Sequence, residues 1–285
     1  MIMISELYQK AIDANIKFHT TLADGYSKNE PHFRPENIAK VEAKLLKIVN
    51  DTNANKLLDL GCGTGFIIDI AKKYVKEIHG VDVTQVMLDK IDKSGFAKIQ
   101  TFNHDTGSFP AELNSYNVVT AYSFLHHLYD IQPTLKTAFK ALKSGGKFYV
   151  DLEPNFHCWE IINSLERDEN YDPIVKREIE MVKYKDEDFK KNFGLPKEIV
   201  DYAEYGKNIL GGFKQDDLMK TLIQIGFSNV EFFYYWFVGQ GNVINDSGKP
   251  KEERFKNAEI IDELLQRALP LSRYLYKYIG FIATK

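Results

Sequence analysis

The chain has 285 residues, 44% hydrophobic and 27% charged; these are ordinary globular figures that exclude a disordered chain and allow one large embellished domain or two small ones. Thirty-seven Lys+Arg against 40 Asp+Glu leave a net charge of −3 with no block of like charge, which argues against a nucleic-acid partner. Two cysteines, Cys62 and Cys158, are too few for a disulfide framework or a four-cysteine zinc site.

In chain order, the N-terminal stretch MIMISELYQKAID is amphipathic, not continuously apolar, so it does not read as a signal peptide. Between 56 and 154, short apolar runs alternate with amphipathic stretches. Strands are predicted at 56–60, 78–83, 98–103, 116–122 and 147–152. Helices are predicted at 66–74, at 84–93 behind Thr84 as N-cap, and at 131–143, stopped by Ser144-Gly145-Gly146. Such alternation points to right-handed βαβ units and a parallel sheet covered on both faces, an α/β fold. Residues 155–212 break the rhythm. In 167–191, 15 of 25 residues are charged, with apolar Ile174, Ile179, Val182 and Tyr184 scattered among them, so this segment reads as a solvated helical insertion. A helix at 213–225, strands at 230–238 and 276–284, and a helix at 251–269 between those strands complete the chain. The longest apolar run, 232–238, is far short of the ~20 residues that span a bilayer, which argues against a membrane protein and for a cytoplasmic one. The division that follows is 1–154 for N-terminal helices and the first part of the sheet, 155–212 for a helical cap, and 213–285 for completion of the sheet, with a second insertion at 242–272.

The most informative segment is Asp59-Leu60-Gly61-Cys62-Gly63-Thr64-Gly65, a glycine-rich turn between a strand and a helix. Glycines there let the chain turn sharply and a ligand approach the main chain. The spacing is G-x-G-x-G, whereas a dinucleotide fingerprint is G-x-G-x-x-G, and no P-loop lysine stands near. Asp59 would repel a pyrophosphate and attract an amino group. Asp82 closes the next strand, where doubly wound nucleotide folds place a carboxylate for ribose hydroxyls ~20 residues beyond the loop. Asp105 follows the third strand. One such Asp could be a turn former; three at successive strand ends suggest a site.

With Gly80-Val81-Asp82-Val83, the Asp105 strand end, Ser123-Phe124-Leu125-His126-His127-Leu128 and Leu142-Lys143-Ser144-Gly145-Gly146-Lys147, the glycine loop resembles the class I S-adenosylmethionine-dependent methyltransferases over about 40–154. The resemblance is strongest to their small-molecule branch, which includes the quinone-biosynthesis enzymes. It implies a doubly wound, Rossmann-like seven-stranded sheet in the order 3-2-1-4-5-7-6, with strand seven antiparallel and helical cap insertions. S-adenosylmethionine would then lie across the carboxyl edge. By analogy Gly61 and Gly63, with Cys62 between them and Asp59 before them, would approach the methionine part. Asp82 and Val83 would serve the ribose, Asp105 and Thr106 would flank the adenine, and Tyr122 and Ser123 would line the floor under the sulfonium. Tyr26 would act as a lid.

The activated methyl group comes with such a cofactor, so the protein has to align the acceptor and exclude water. His126 and His127 follow the fourth strand, and one of them, His127 foremost, could take a proton from the acceptor. No Asn-Pro-Pro-Tyr, Asp-Pro-Pro-Tyr or Pro-Cys signature follows that strand. Cys62 therefore reads as packing and not as a nucleophile. Asp151, Glu153 and Asn155 lie beside a strand end without a clear ligand pattern, and no metal is assigned. The expected acceptor is a small metabolite methylated at O, N or C, bound beneath 155–212 and 242–272. Two alternatives remain: a non-catalytic S-adenosylmethionine-binding module of this fold and, less favoured by the glycine spacing, a nicotinamide-dependent oxidoreductase. The oligomeric state is left open.

Overall fold

The computed structural model describes residues 6–26, 30–166, 170–180 and 185–285; Val182 and Tyr184 lie outside them. The helices α1 (Glu6–Leu22) and α2 (Pro35–Asp51), with a 3-10 turn at Pro31–Phe33 between them, precede the sheet. There follow β1 (Lys56–Leu60), α3 (Phe66–Ala71), β2 (Glu77–Asp82), α4 (Gln85–Leu88), β3 (Lys98–Asn103), β4 (Tyr116–Tyr122), α5 (Gln132–Ala141) and β5 (Leu142–Pro154). The segment after β5 is helical: α6 (Phe156–Ser164), α7 (Pro173–Ile179), α8 (Lys185–Phe193) and α9 (Lys197–Ala203), ending in a π-helical turn at Tyr205–Ile209. The chain closes with α10 (Gln215–Ile225), β6 (Ser228–Phe237), α11 (Gln240–Ile244), α12 (Lys251–Arg267) and β7 (Tyr276–Thr284).

The seven strands form one sheet in the order β3-β2-β1-β4-β5-β7-β6. β1 to β5 pair in parallel, and β7 runs antiparallel to both β5 and β6. This is the doubly wound order implied by the resemblance. Because successive side chains point to opposite faces, each central strand feeds two cores. Leu58, Val119 and Phe148 pack with α5 and α10 through Leu135, Ala138, Leu218 and Leu222. Leu57, Val118 and Tyr149 pack on the other face with Leu45 and Ile48 of α2 and Ile67 and Ile68 of α3. Full burial of each such side chain contributes about 1.5–3 kcal/mol.

Two element boundaries differ from the sequence pattern. Ser144-Gly145-Gly146 does not end a helix; Leu142 already pairs with Tyr116, and an irregularity between Tyr116 and Val118 absorbs the offset. The helix expected at 84–93 is one turn long, and the Thr84 side chain makes no cap; the Asp82 carboxylate instead accepts the Thr84 N–H at 2.8 Å. The parallel register aligns Leu60 with Val81 and Asp82 with Asn103, so the acidic strand ends share one edge of the sheet. Among the described residues, no helix is long and apolar enough to cross a membrane.

Candidate active site

A cleft opens at that edge, lined by the glycine loop, the acidic strand ends and one face of α1. The glycine loop forms its floor. Gly61, Gly63 and Gly65 all have left-handed backbone, with φ of +72°, +49° and +92°. A Cβ on Gly63 would meet nothing closer than Met87 Cε at 3.8 Å, which leaves that peptide open to a ligand. Gly61 lines the cleft as well. The Phe124 ring covers it, and a Cβ there would lie 2.0 Å from the ring, so the close approach that requires glycine is made by the protein itself.

Asp82 ties the loop to the end of β2. Its two oxygens accept N–H bonds from Gly63 at 2.9 Å and Thr84 at 2.8 Å. Burial pushes its carboxyl above the ordinary range, and these bonds oppose the rise. Asp59 is buried, accepts the Thr120 hydroxyl at 2.6 Å, and is pushed up to about 7, chiefly by burial and further by the Asp82 charge. Both face the cleft, as do Val83 and Cys62, whose thiol is raised by burial and so is a poor nucleophile. Asp105 lines the cleft too, but its carboxylate is engaged by the Tyr8 hydroxyl at 3.0 Å and by Ser108 Oγ at 2.8 Å. Thr106 lies beside it, its hydroxyl paired with that of Thr134 at 2.8 Å.

The opposite wall is aromatic. The Tyr122 ring lies 4.7 Å from Phe66 and 5.6 Å from His32, while Tyr26 stands 6.3 Å from Phe33. Ser123 turns the chain there with φ +50°, its N–H held by the Asp151 carbonyl at 2.8 Å. The next turn, Leu125–His127, hangs on one buried carboxylate. Glu153 accepts the N–H groups of Phe124 (2.9 Å), Leu125 (2.8 Å) and His126 (3.0 Å), and the His126 ring Nδ1 at 2.8 Å.

The two histidines therefore separate. His127 lines the cleft, and His126 lies behind the wall, turned toward Glu153. His127 Nδ1 lies 2.7 Å from the Ala203 carbonyl, which can only accept, so Nδ1 carries the proton and Nε2 the lone pair. Burial, then the neighbouring His126, holds the His127 pKa well below its usual value, leaving the ring neutral at pH 7.

Tyr8, Asn15 and His19 of α1 complete the wall. Among the described residues, none of 155–212 or 242–272 lines the cleft. α9 instead backs α1, with Val200 and Ala203 packed on Ala14 and Phe18. Asp151 is likewise engaged, by Lys44 at 3.5 Å and by the Tyr149 hydroxyl, and the Asn155 amide donates to the Tyr276 carbonyl at 2.7 Å. One polar atom of the floor stands without a partner: Thr64 Oγ1 is buried and unpaired. An orphaned hydroxyl beside an open peptide and two carboxylates suits a ligand with hydroxyl, amino and carboxylate groups.

The sequence pattern of the methyltransferase-domain family matches residues 58–150, which include the glycine loop, Asp82, Asp105 and the histidine turn. Residues 58–150 thus form a methyltransferase domain, in keeping with the resemblance read from the sequence. Among relatives of the chain, Bacillus subtilis YcgJ is 25% identical over 154 residues, covering 50% of this chain and 60% of its own length. The demethylmenaquinone methyltransferase of Staphylococcus saprophyticus is 28% identical over 195 residues, covering 66% of this chain and 76% of its own. The match thus spans under two thirds of the length of YcgJ. In fold, the chain is similar to phosphoethanolamine N-methyltransferase 2 of Haemonchus contortus, with a TM-score of 0.58 at 16% identity, over 99% of this chain and 60% of that one.

Proposed function

We propose that the protein binds S-adenosylmethionine in this cleft and transfers its methyl group to an O, N or C atom of a small-molecule acceptor. The observation that carries the reading is the Asp82 carboxylate, half-buried at the cleft edge and clasping the open Gly63 peptide, with Thr64 Oγ1 unpaired in the same loop. When bound, the cofactor supplies a sulfonium-activated methyl group. The chain's own residues do the rest. Asp82 and Val83 hold the ribose, Asp105 and Thr106 border the adenine, and Asp59 with the 61–64 peptides faces the amino-acid end. Tyr26, Tyr122 and Ser123 enclose the reacting end and exclude water; such positioning lowers a barrier by about 7–11 kcal/mol. The aromatic wall supports a flat or apolar acceptor, in keeping with the similarity to the demethylmenaquinone methyltransferase of Staphylococcus saprophyticus.

For a hydroxyl acceptor, the His127 Nε2 lone pair takes the departing proton. His126 does not substitute for it, because its ring is turned to Glu153. Calorimetry with S-adenosylhomocysteine, then turnover against a panel of small acceptors, tests the reading. One equivalent should bind, and NADH should not compete. His127→Ala should lower kcat by ~10²–10⁴ on a hydroxyl acceptor while leaving cofactor affinity nearly unchanged. Binding of S-adenosylhomocysteine without turnover on any acceptor would favour a non-catalytic binding module.

A further inference from the structure

Behind the cleft wall, the histidine turn meets the end of α9. His126, His127 and Glu204 are all buried, and one ligand-capable atom from each lies within 4.8 Å of the others. His126 Nε2 is 3.7 Å from Glu204 Oε2. The ring tautomers follow from the partners. Nδ1 of His126 faces the Glu153 carboxylate and Nδ1 of His127 faces the Ala203 carbonyl, so both Nδ1 atoms donate and both Nε2 atoms present lone pairs. An imidazole whose far N–H is held by a carboxylate or a backbone carbonyl is the arrangement that orients metal-ligating histidines. A second, independent feature lies next to Glu204. The π-helical turn Tyr205–Ile209, a rare geometry concentrated at functional sites, packs against the histidines. Gly206 allows this, because a Cβ there would lie 2.8 Å from His126 Cα.

We propose that His126, His127 and Glu204 form a binding site for one divalent transition-metal ion of the zinc class. Two imidazole nitrogens and one carboxylate oxygen are a donor set such ions accept. The resident competitor is the Lys207 ammonium, which pairs with Glu204. A bound ion displaces it and draws the three donors to about 2.0–2.2 Å from the metal. The ion also takes up the His127 Nε2 lone pair, so metal binding and proton transfer through His127 exclude one another. The site does not depend on the methyl-transfer reading, and its binding test needs no turnover.

Co²⁺ is the probe, titrated into the full chain and followed by its visible d–d absorption, with Zn²⁺ as competitor. Wild type should bind one equivalent. Glu204→Gln should bind at least tenfold more weakly, and Lys207→Met at least tenfold more tightly, because the internal competitor is gone. Glu153→Gln should weaken binding about tenfold to a hundredfold by loosening the His126 ring. Should Glu204→Gln fail to fold, the comparison of Lys207→Met with wild type decides alone. Equal Co²⁺ affinity in those two proteins would overturn the site, as would an intense thiolate charge-transfer band placing the ion on Cys62 or Cys158. Intact S-adenosylhomocysteine binding alongside either result would leave the methyltransferase reading standing.

Discussion

Asp82 offers the sharpest test of the cofactor assignment, because one carboxylate does two separable things. It closes the glycine loop by accepting the Gly63 and Thr84 N–H groups, and its remaining lone pairs face the cleft. Asp82→Ala leaves both N–H groups without their partner, at about 1–3 kcal/mol each if they stay buried. Asp82→Asn keeps an acceptor for one of them and turns an NH₂ group toward the other, so it should lose about half as much stability. Cofactor affinity follows a different arithmetic. A charge-assisted bond to a ribose hydroxyl contributes about 1.5–3 kcal/mol, so removing the charge should weaken S-adenosylhomocysteine binding about tenfold to a hundredfold. Urea unfolding gives the stability term and calorimetry on the folded variants gives the affinity term. Wild-type affinity for S-adenosylhomocysteine in both variants would refute the placement of the ribose at Asp82, whatever happened to stability.

Asp59, pushed up to about 7 from an ordinary 3.8, binds a proton in the folded chain that the unfolded chain has released between about pH 4 and 7. Stability should therefore fall as pH rises through that window and level off above it, and Asp59→Asn should flatten the slope in urea unfolding at several pH values. A cationic amino group beside Asp59 favours its ionised form, so cofactor affinity should climb as pH approaches about 7, with proton release seen by calorimetry in buffers of different ionisation heat. Affinity independent of pH would move the amino group elsewhere. Gly61→Ala meets the Phe124 ring and carries positive φ, so it should lose more than ~1 kcal/mol of stability and cofactor binding together; wild-type Tm and affinity would show that the ring yields freely. Glu153→Gln places an NH₂ group against donors of the histidine turn, and Tm should fall by about 3–10 °C. An unchanged Tm would mean that Glu153 does not hold the turn.

The cofactor half of the cleft was legible because its determinants are local. Strands buried on both faces show as short apolar runs, and the parallel register carries Asp59, Asp82 and Asp105 to one edge without any knowledge of distant contacts. What failed locally failed for tertiary reasons. Thr84 has the composition of an N-cap, yet the Asp82 carboxylate reaches its N–H first. Ser144-Gly145-Gly146 has the composition of a helix stop, yet pairing with β4 draws the segment into the sheet.

The histidine side of the cleft is assembled from segments far apart in sequence, so what separates adjacent His126 and His127 is not local. Their roles are set by Glu153 at the end of β5 and by the Ala203 carbonyl at the end of α9. α9 is held in turn by α1, whose Asn15 amide donates to the His127 carbonyl at 2.9 Å and whose Tyr8 reaches Asp105. α9 thus reaches the cleft from behind, through α1 and the histidine turn. The cleft wall, the His127 tautomer and the Glu204 cluster form one hydrogen-bonded unit, so a change in α9 should register at His127 although no α9 side chain lines the cleft.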